Sequence, residues 1–421
     1  AIANPSYSEQ ISIMKILYLH QYFATPKSSA GTRSYEMAKR LIAKGHSVTF
    51  VTTSAFLSTE YSLNSGWNEI EIEGIRLHVL HMPYSNKDSF GKRMLKFLQF
   101  SWLSTLKALN LKCDVVFATS TPLTIAIPGL IYSKLKKIPM VFEVRDLWPE
   151  LPVAVGAIKH PLLIKIAQWL EKYTYKNSKR LIGLSPGMCE GIVRNGIDGR
   201  FVTLATNSCD TGLFYVDVNV GKKYKKNSLS FLGGRKLVVY TGTFGVINNV
   251  GYLVELALKM RDIDDSVCFV AIGDGMEKKK IIDKARSLGV LDDNLYILDP
   301  VPKLEIVKLL SAADIALSLF GPVAEMWHNS ANKLFDALAS QTPVGINYGG
   351  WQKEIIEKYK CGLVLDSDDY EKSATGLSSF LSSDEKLSEA RKQCHYLAHE
   401  VFSRDIMADR VEKALMEAVC D

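Results

Sequence analysis

Apolar and polar positions alternate along this chain in two rhythms, one typical of strands and one of helices. Short apolar runs at residues 15–20 and 47–52 are typical of parallel strands that are buried on both faces. Between them, residues 32–44 place Tyr35, Ala38 and Leu41 on one helical face, and Gly45 follows as a stop signal. The opening of the chain therefore predicts a strand–helix–strand unit.

The same alternation continues in two series. In the first series, further apolar runs predict strands at 114–118, 140–144 and 181–184. The second series predicts strands at 236–241, 267–272, 294–298, 315–319, 343–346 and 363–365, and helices at 252–261, 276–288, 304–313 and 332–340. Because strands alternate with helices throughout, we expect an α/β fold of two doubly wound parallel-sheet domains.

Shifts in composition indicate where these domains begin and end. Residues 217–235 are rich in Lys, Asn, Ser and Gly and lack periodicity, so we place a linker region at 211–235. The predicted domains are then 14–210 and 236–395, and a closing helix follows within 396–421. Residues 1–13 show neither rhythm, and Met14 directly precedes the first strand; we interpret Met14 as the native start and 1–13 as an expression leftover.

Composition narrows the class of protein. The 421 residues are 47% hydrophobic and 23% charged, which excludes a mostly disordered chain. No apolar run approaches the roughly 18–20 residues that a membrane span needs. The seven cysteines form no CxxC pair and no Cys/His cluster, so they predict reduced thiols in a cytoplasmic protein.

Charge is distributed unevenly between the two halves. Residues 1–200 contain 25 Lys and Arg against 14 Asp and Glu, a net charge of +11, whereas the rest of the chain carries −5. Such an asymmetry fits an anionic partner of the first half, and it equally fits a bias that only favours solubility.

Two short motifs suggest chemistry that their context does not favour. Residues 183–187 match G-x-S-x-G, the nucleophile elbow of α/β-hydrolases, but Pro186 lacks the N–H that the oxyanion hole requires. Ser185 as a helix N-cap, with Pro186 in the first turn, explains the same residues. Residues 262–264 and 366–368 match the metal-binding D-x-D pattern, yet both are typical of solvated junctions beside strands. We therefore expect no metal and no cofactor.

Several small-residue turns follow predicted strands. Gly31 lies between the first strand and the first helix, residues 241–245 (TGTFG) and 272–275 (IGDG) end two strands of the second half, and residues 330–333 (SANK) open a helix. Glycine turns after strands are common structural caps. Together, however, they predict anion-binding turns at the carboxyl ends of the strands, where open parallel sheets bind ligands.

At these residues the sequence resembles the retaining glycosyltransferases of family 4, which have the GT-B fold. The resemblance covers nearly all of the chain from Met14 onward, and DLWPE (146–150) and the segment 330–351 look like the branch that resembles bacterial fucosaminyltransferases of O-antigen and capsule assembly. It is carried by GHSVTFVTT (45–53), EVRDLWPE (143–150), LSPGM (184–188), NSCD (207–210), GTFG (242–245), IGDG (272–275) and SANKLFDALASQTPVGINYGGW (330–351).

The resemblance implies where a nucleotide-sugar donor binds. Asp336 occupies the end of the family's E-x7-E motif and is expected on the ribose, while Val301 is expected against the base. His328 stands where that motif has its first Glu, a departure from the family. The donor phosphates are expected on a set of residues from three loops: Gly31, Thr243, Phe244, Gly245, Ser330, Ala331, Asn332 and Lys333.

Lys333 is the expected cation for the diphosphate, since residues 246–249 lack the basic residue that the family usually has after the GTFG turn. Arg145 and Asp146 follow a strand where relatives often carry a histidine in the cleft, so the resemblance implies that Arg145, Asp146 and His328 act in catalysis. Each assignment has a plainer alternative. Lys333 could be an exposed helix lysine and Asp336 a solvated helix carboxylate. Arg145 and Asp146 could form a structural ion pair at a strand end.

Residues 90–111 combine apolar and aromatic side chains at helical spacing with Lys92, Arg93 and Lys96. Such a helix suits an anionic membrane interface, and it equally suits the core of a domain. The resemblance implies a lipid-linked glycan acceptor and a peripheral location at the cytoplasmic face of the inner membrane, with no nucleic acid partner. A nucleotide-sugar epimerase of the same fold and a non-catalytic sugar-binding module are the alternative functions.

Overall fold

The computed structural model describes residues 13–28, 30–83 and 88–420. Nearly all of the stretch interpreted as an expression leftover, residues 1–12, lies outside this part of the chain. Within it, none of the helices is long and apolar enough to cross a membrane.

The strands of the described residues form two sheets. The first sheet contains β1 (Lys15–Leu19), β2 (Ser47–Thr53), β3 (Trp67–Ile72), β4 (Ile75–Leu80), β5 (Val115–Thr119), β6 (Met140–Val144), β7 (Arg180–Gly183) and β8 (Val202–Leu204). Its strand order is β3-β4-β2-β1-β5-β6-β7-β8, and only the β3–β4 pair at the edge is antiparallel.

The second sheet is parallel throughout. It contains β9 (Lys236–Thr241), β10 (Val267–Ile272), β11 (Leu295–Leu298), β12 (Ile315–Ser318), β13 (Val344–Ile346) and β14 (Gly362–Val364), in the order β11-β10-β9-β12-β13-β14. The predicted strands of both series are therefore present, most within one residue of the expected bounds, and the doubly wound α/β fold is confirmed.

Helices cover both faces of each sheet. In the first half they are α1 (Arg33–Ala43), α2 (Phe90–Leu109), α3 (Ala126–Lys136), α4 (Glu150–Ala154), α5 (Pro161–Lys176) and α6 (Pro186–Arg194). The remaining helices are α7 (Thr211–Phe214), α8 (Val218–Ser228), α9 (Tyr252–Ile263), α10 (Lys278–Ser287), α11 (Lys303–Ala312), α12 (Asn332–Ala339), α13 (Trp351–Tyr359), α14 (Tyr370–Leu381), α15 (Asp384–Tyr396) and α16 (Arg404–Cys420).

Burial explains why the apolar runs form central strands. Every residue of β5, β6 and β10 is buried, as expected for parallel strands with helices on both faces. The β3–β4 hairpin is a feature that sequence reasoning missed. It sits at the edge of the sheet, and β3 alternates polar with apolar residues rather than forming an apolar run.

The predicted linker region contains two helices, α7 and α8, so it is not an irregular segment. Helix α8 has a polar sequence, but it packs closely on α11 through Gly221. A Cβ atom on Gly221 would lie 2.4 Å from the carbonyl oxygen of Ser311, so only glycine permits this approach. The contact was invisible in the sequence because it depends on a missing side chain.

The closing helix α16 returns to the first domain rather than staying on the second. It packs against α1 and β7, and Glu412 pairs there with both Lys44 and His46. Where the chain leads back to the first domain, just before α16, the Cys209 N–H donates to the Phe402 carbonyl at 2.8 Å. The chain therefore passes twice between the domains, at neighbouring points.

Candidate active site

The cleft between the domains is bordered by the carboxyl ends of the central strands of both sheets. Three contacts across it join the halves: Gly31 faces Asn332, Gly187 faces His328, and Asn207 bonds to Ser330. The small-residue turns singled out in the sequence therefore meet at one place.

Lys333, in the first turn of α12, reaches back over the end of β9. Its Nζ lies 5.4 Å from the centroid of the Tyr240 ring and 6.0 Å from that of Phe320. A Cβ atom on Gly242 would lie 2.5 Å from Cε of Lys333, so the glycine makes room for the lysine chain. Burial lowers the pKa of Lys333 to about 8, against a smaller opposing effect of Asp336. Lys333 is thus a partly desolvated cation beside the glycine turn, not an exposed helix lysine.

In the turn after β9, one N–H group is bonded within the protein and two others have no acceptor in the described part of the chain. The N–H of Phe244 donates to the Asp274 carbonyl at 2.9 Å, and the ring is fully buried, so Phe244 shapes the turn and offers no donor to a phosphate. Within the described residues, no acceptor occupies the N–H groups of Thr243 and Gly245. The N–H of Phe244 thus joins this turn to the one after β10, and the assignment of Phe244 to the donor phosphates stays a prediction.

The start of α12 also differs in part from expectation. The N–H of Ala331 donates to Asn329 Oδ1 at 2.9 Å, and Ser330 is engaged by Asn207 from the first domain. The N–H of Ala331 is therefore already engaged, whereas Ser330 accepts in both bonds with Asn207 and keeps its own donors. The N-cap position is Ala331, which has no side chain to accept from the first-turn N–H groups. An anion at this helix end would supply the missing cap.

Asp336 lies one turn further along α12. Burial raises its pKa to about 6, whereas Lys303 and Arg404 act to lower it. Lys303 begins the helix that follows Val301, and Val301 itself packs partly buried against the core. Asp336 is therefore near the start of α11, two residues after Val301, and the ribose and base assignments stay predictions.

Arg145 approaches the same region from the first domain. Its guanidinium NH1 lies 3.2 Å from His20 Nε2, and NH2 would lie 4.0 Å from a Cβ atom on Gly31. Burial and the charge of Arg145 hold the pKa of His20 well below its usual range, so the ring is neutral and can accept from the guanidinium. Because Gly31 also faces Asn332, Arg145 is a second cation directed at the gap between the domains.

Asp146 and His328 come together from opposite domains. Both line a small cavity of about 30 Å³, which is room for one water molecule. Thr121 Oγ1 donates to Asp146 at 2.9 Å, while burial raises the pKa of Asp146. A Cβ atom on Gly187 would lie 1.8 Å from His328 Nδ1, so only glycine at that position lets the histidine approach the first domain.

One buried ion pair near the cleft was missed by sequence reasoning. Arg33 donates to Glu143 at 2.8 Å and also to the carbonyls of Ala205 and Thr206, while Thr119 donates to the other oxygen of Glu143. Burial acts to raise the pKa of Glu143, but the Arg33 guanidinium acts to lower it, and the pKa is lowered overall. The available signal was Glu143 at the end of an apolar strand, where a charge needs a partner.

The motifs set aside in the sequence have structural roles. Ser185 is the N-cap of α6 and accepts from the Met188 N–H, with Pro186 in the first turn, which confirms that prediction. Asp264 accepts from Ser266 and Ser378, and Asp366 caps a turn and pairs with Lys372. Within the described residues, no group of three or more His, Cys, Asp or Glu side chains could hold a metal ion.

Solved structures with the same arrangement define the class of fold. The Anabaena protein HepE, crystallised with UDP and glucose, aligns with a TM-score of 0.70 at 15% identity over 96% of this chain and 99% of its own. WaaG, a glycosyltransferase involved in lipopolysaccharide biosynthesis, aligns with a TM-score of 0.67 at 15% identity over 95% and 99%. The fold is GT-B, two Rossmann-like domains that face a cleft.

Family models identify both halves of the chain. A glycosyl transferase 4-like domain matches residues 29–207, and the domain of glycosyl transferases group 1 matches residues 222–398. The Escherichia coli K12 protein WcaI, assigned as a colanic acid biosynthesis glycosyl transferase, is 21% identical over 69% of this chain and 74% of its own length. The chain belongs to the GT-B glycosyltransferases of the family 4 type.

Proposed function

We propose that the protein is a retaining glycosyltransferase that moves a sugar from a UDP-linked donor to a lipid-linked glycan acceptor in bacterial surface polysaccharide assembly. The observation that carries the proposal is the convergence of Lys333, Arg145 and the uncapped start of α12 on one gap beside Gly31 and Gly242. Two cations and free helix N–H groups suit a diphosphate, and the structure with UDP and glucose in a similar fold supports UDP as its nucleotide.

In this proposal the protein stabilises the leaving diphosphate. The negative charge on the diphosphate grows as the bond to the sugar breaks, so a preorganised cation is worth most in the transition state. Lys333 lies in a partly desolvated site, where its attraction to an anion is stronger than in water. The acceptor hydroxyl attacks from the face that the diphosphate leaves, and the sugar keeps its anomeric configuration.

Asp146 and His328 are proposed to orient the acceptor hydroxyl and the donor sugar. They face one cavity from opposite domains, so both are in place only when the cleft is closed. Thr121 holds the Asp146 carboxylate through a hydrogen bond, which limits its rotation. Closure thus brings donor and acceptor groups together, which contributes through proximity.

The proposal includes no metal and no cofactor. Lys333 and Arg145 supply the charge that a divalent cation would otherwise supply to the diphosphate. Of the D-x-D carboxylates, Asp264 already accepts from Ser266 and Ser378, and Asp366 accepts from the Asp368 N–H. Transfer is accordingly expected to continue in excess EDTA.

The test is to incubate the purified protein with a panel of nucleotide sugars and polyprenyl-diphosphate-linked glycans, with and without EDTA. Mass spectrometry should show one added sugar, and NMR of the product should show the anomeric configuration of the donor. Free sugar or an interconverted donor without acceptor would indicate an epimerase. Donor affinity without turnover would indicate a binding module, and an inverted product would exclude retention.

A second part of the proposal places the first domain on the cytoplasmic face of the inner membrane. Helix α2 packs on its domain through Phe100, Ser104 and Ala108, and it leaves Leu98 and Trp102 51% and 63% exposed. A core helix would show the opposite pattern. Apolar and aromatic side chains toward solvent, in the half of the chain with net charge +11, suit an anionic lipid surface.

A further inference from the structure

An apolar groove runs along the outer surface of the first domain, between α2, α3 and α5. Its volume is about 580 Å³, within the range of roughly 300–1,000 Å³ that is usual for small-molecule sites. The walls are almost entirely apolar, and residues on its rim stay well exposed, among them Ile166 at 50% and Trp169 at 62%. An exposed apolar surface of this kind marks a binding site more often than a chance feature.

The three helices around the groove are rich in basic residues. They contain nine Lys and Arg residues and a single carboxylate, Glu171. Lys134 lines the groove, whereas Glu171 is buried, accepts from the Tyr175 hydroxyl at 3.0 Å and does not line it. An apolar channel between basic helices is complementary to a hydrocarbon chain that ends in an anionic headgroup.

Aromatic side chains line one wall of the groove. Trp169 and Tyr173 stack with ring centroids 5.1 Å apart, and Lys134 donates to the Tyr173 hydroxyl while its Nζ lies over the ring. Trp169, Tyr173 and Lys134 all line the groove, and each combines an apolar body with a polar end. The wall therefore suits a ligand that lies between hydrocarbon and water.

One segment of the chain connects the groove with the cleft. Trp148 lines the groove, whereas Asp146 and Leu147 line the small cavity beside His328. On the next strand end, Pro122 lines the groove and Thr121 bonds to Asp146. The groove and the candidate active site therefore lie on opposite sides of the same two loops.

We propose that this groove binds the isoprenoid chain of the diphosphate-linked acceptor and so brings its sugar to the cleft at Asp146. The inference rests on the proposed function for the acceptor, and it adds a binding site separate from general contact with the membrane. The hydrocarbon chain fills the groove between α2, α3 and α5, and the diphosphate lies near Lys134, the basic residue that lines it.

The test uses farnesyl diphosphate with a photoreactive diazirine on its terminal isoprene unit, followed by peptide mass spectrometry. Labels are expected in the peptides that contain Phe97, Ile127 and Ile166, all of which line the groove. Unlabelled farnesyl diphosphate should compete, and inorganic diphosphate should not. Labels scattered over the surface, or equal competition by both, would overturn the proposal.

A matched pair of variants separates the groove from the surrounding surface. Ile166→Glu changes an exposed groove residue, whereas Leu95→Glu changes an equally accessible residue of α2 that does not line it. Ile166→Glu should reduce labelling about tenfold, because it puts a charge in the path of the chain, and Leu95→Glu should leave it unchanged. Ala167→Trp, which narrows the groove without a charge, should act like Ile166→Glu. Equal effects of Ile166→Glu and Leu95→Glu would mean contact with the surface only.

A kinetic comparison distinguishes this inference from the proposed function. Ile166→Glu should raise KM about tenfold for a polyprenyl-linked glycan and leave it unchanged for the same glycan on a short octyl chain. Transfer to the polyprenyl-linked glycan without labelling of the groove would overturn the inference and keep the function. Specific labelling without transfer to any acceptor would overturn the proposed acceptor.

Discussion

Helix α12 of the second domain and helix α2 of the first differ in the side chains that they leave toward the outside, although α2, like α12, buries apolar residues, Phe100 and Ala108. In α12, Leu334, Phe335 and Leu338 are buried, while Lys333 and Asp336 lie toward the cleft. In α2, Ser104 and Thr105 are buried, and Leu98 and Trp102 face outward. The hydroxyls of Ser104 and Thr105 both donate to the Ser101 carbonyl, which satisfies them without help from another element.

The difference separates two kinds of site. A helix with a buried apolar face gains stability from its domain, so its polar residues are free to bind a small polar ligand. A helix that exposes its apolar face leaves that surface available to a partner from outside the domain. The donor site proposed for the second domain and the lipid surface proposed for the first should therefore be separable by mutation. The predictions below run from the largest expected effect to the smallest.

The largest effect is expected at the cation beside the glycine turn. Lys333→Ala should lower kcat about 100- to 1,000-fold, the loss typical of one transition-state donor, because the leaving diphosphate keeps its growing charge unpaired. Lys353→Ala, at a half-exposed lysine on α13 of the same domain, is the matched control and should be neutral. Steady-state transfer kinetics measure both, and a normal kcat in Lys333→Ala would assign the charge to Arg145 alone.

A smaller effect is expected on donor binding at Asp336. Asp336→Ala should weaken UDP binding by about 1.5–3 kcal/mol, the range for a hydrogen bond to a charged group. Isothermal titration calorimetry with UDP measures this, and binding to anionic vesicles should not change. Unchanged UDP affinity would remove Asp336 from the ribose site.

The same two residues predict a pH window for UDP binding. Lys333, with a pKa of about 8, loses its charge as pH rises through that value, so affinity should fall about tenfold per unit above it. Asp336, with a pKa of about 6, is neutralised as pH falls through that value and becomes a weaker acceptor. Affinity should therefore be greatest between about pH 6 and 8.

Two variants test which residue causes each limb of the pH profile of UDP affinity. Lys333→Arg keeps its charge at every pH and should remove the alkaline limb. Asp336→Asn cannot titrate and should remove whatever part of the acid limb belongs to the protein, leaving only the protonation of UDP itself. A profile that both variants leave unaltered would contradict these assignments.

A feature of this structure is predictable from the sequence when it depends on residues that are close together along the chain. Buried strands such as β5, β6 and β10 are predicted because their apolar runs are local. The positions of Lys333 and Asp336 follow from the family resemblance. The N–H groups of Phe244 and Ala331 are bonded to Asp274 and Asn329, and a motif does not show such partners. The assignment of these two residues to the donor phosphates stays a prediction.

The features that we propose to face the membrane show the same limit. For residues 90–111 the sequence left two interpretations, since helical spacing marks an apolar face without saying what it contacts. The structure shows Leu98 and Trp102 exposed, which depends on how α2 docks on its domain. The groove requires three helices that are distant in sequence, so no local pattern could predict it.

The smallest effect is expected from single charges near α2. Lys92 and Lys96 both pair with Asp88, at 2.7 and 2.6 Å, so part of their charge is already compensated. Among the described residues Arg93 has no such partner, and Arg93→Glu should weaken binding to anionic liposomes by about 1 kcal/mol or more, with a loss of the effect in high salt.

Lys92→Glu and Lys96→Glu should each weaken binding to anionic liposomes less than Arg93→Glu, because Asp88 already offsets part of each charge, and Asp88→Asn should strengthen it by releasing both lysines. Flotation with anionic and neutral vesicles measures all four, with UDP affinity as the control for folding. Equal flotation with both vesicle types, or weaker flotation of Asp88→Asn, would mean that the charges around α2 do not bind the membrane.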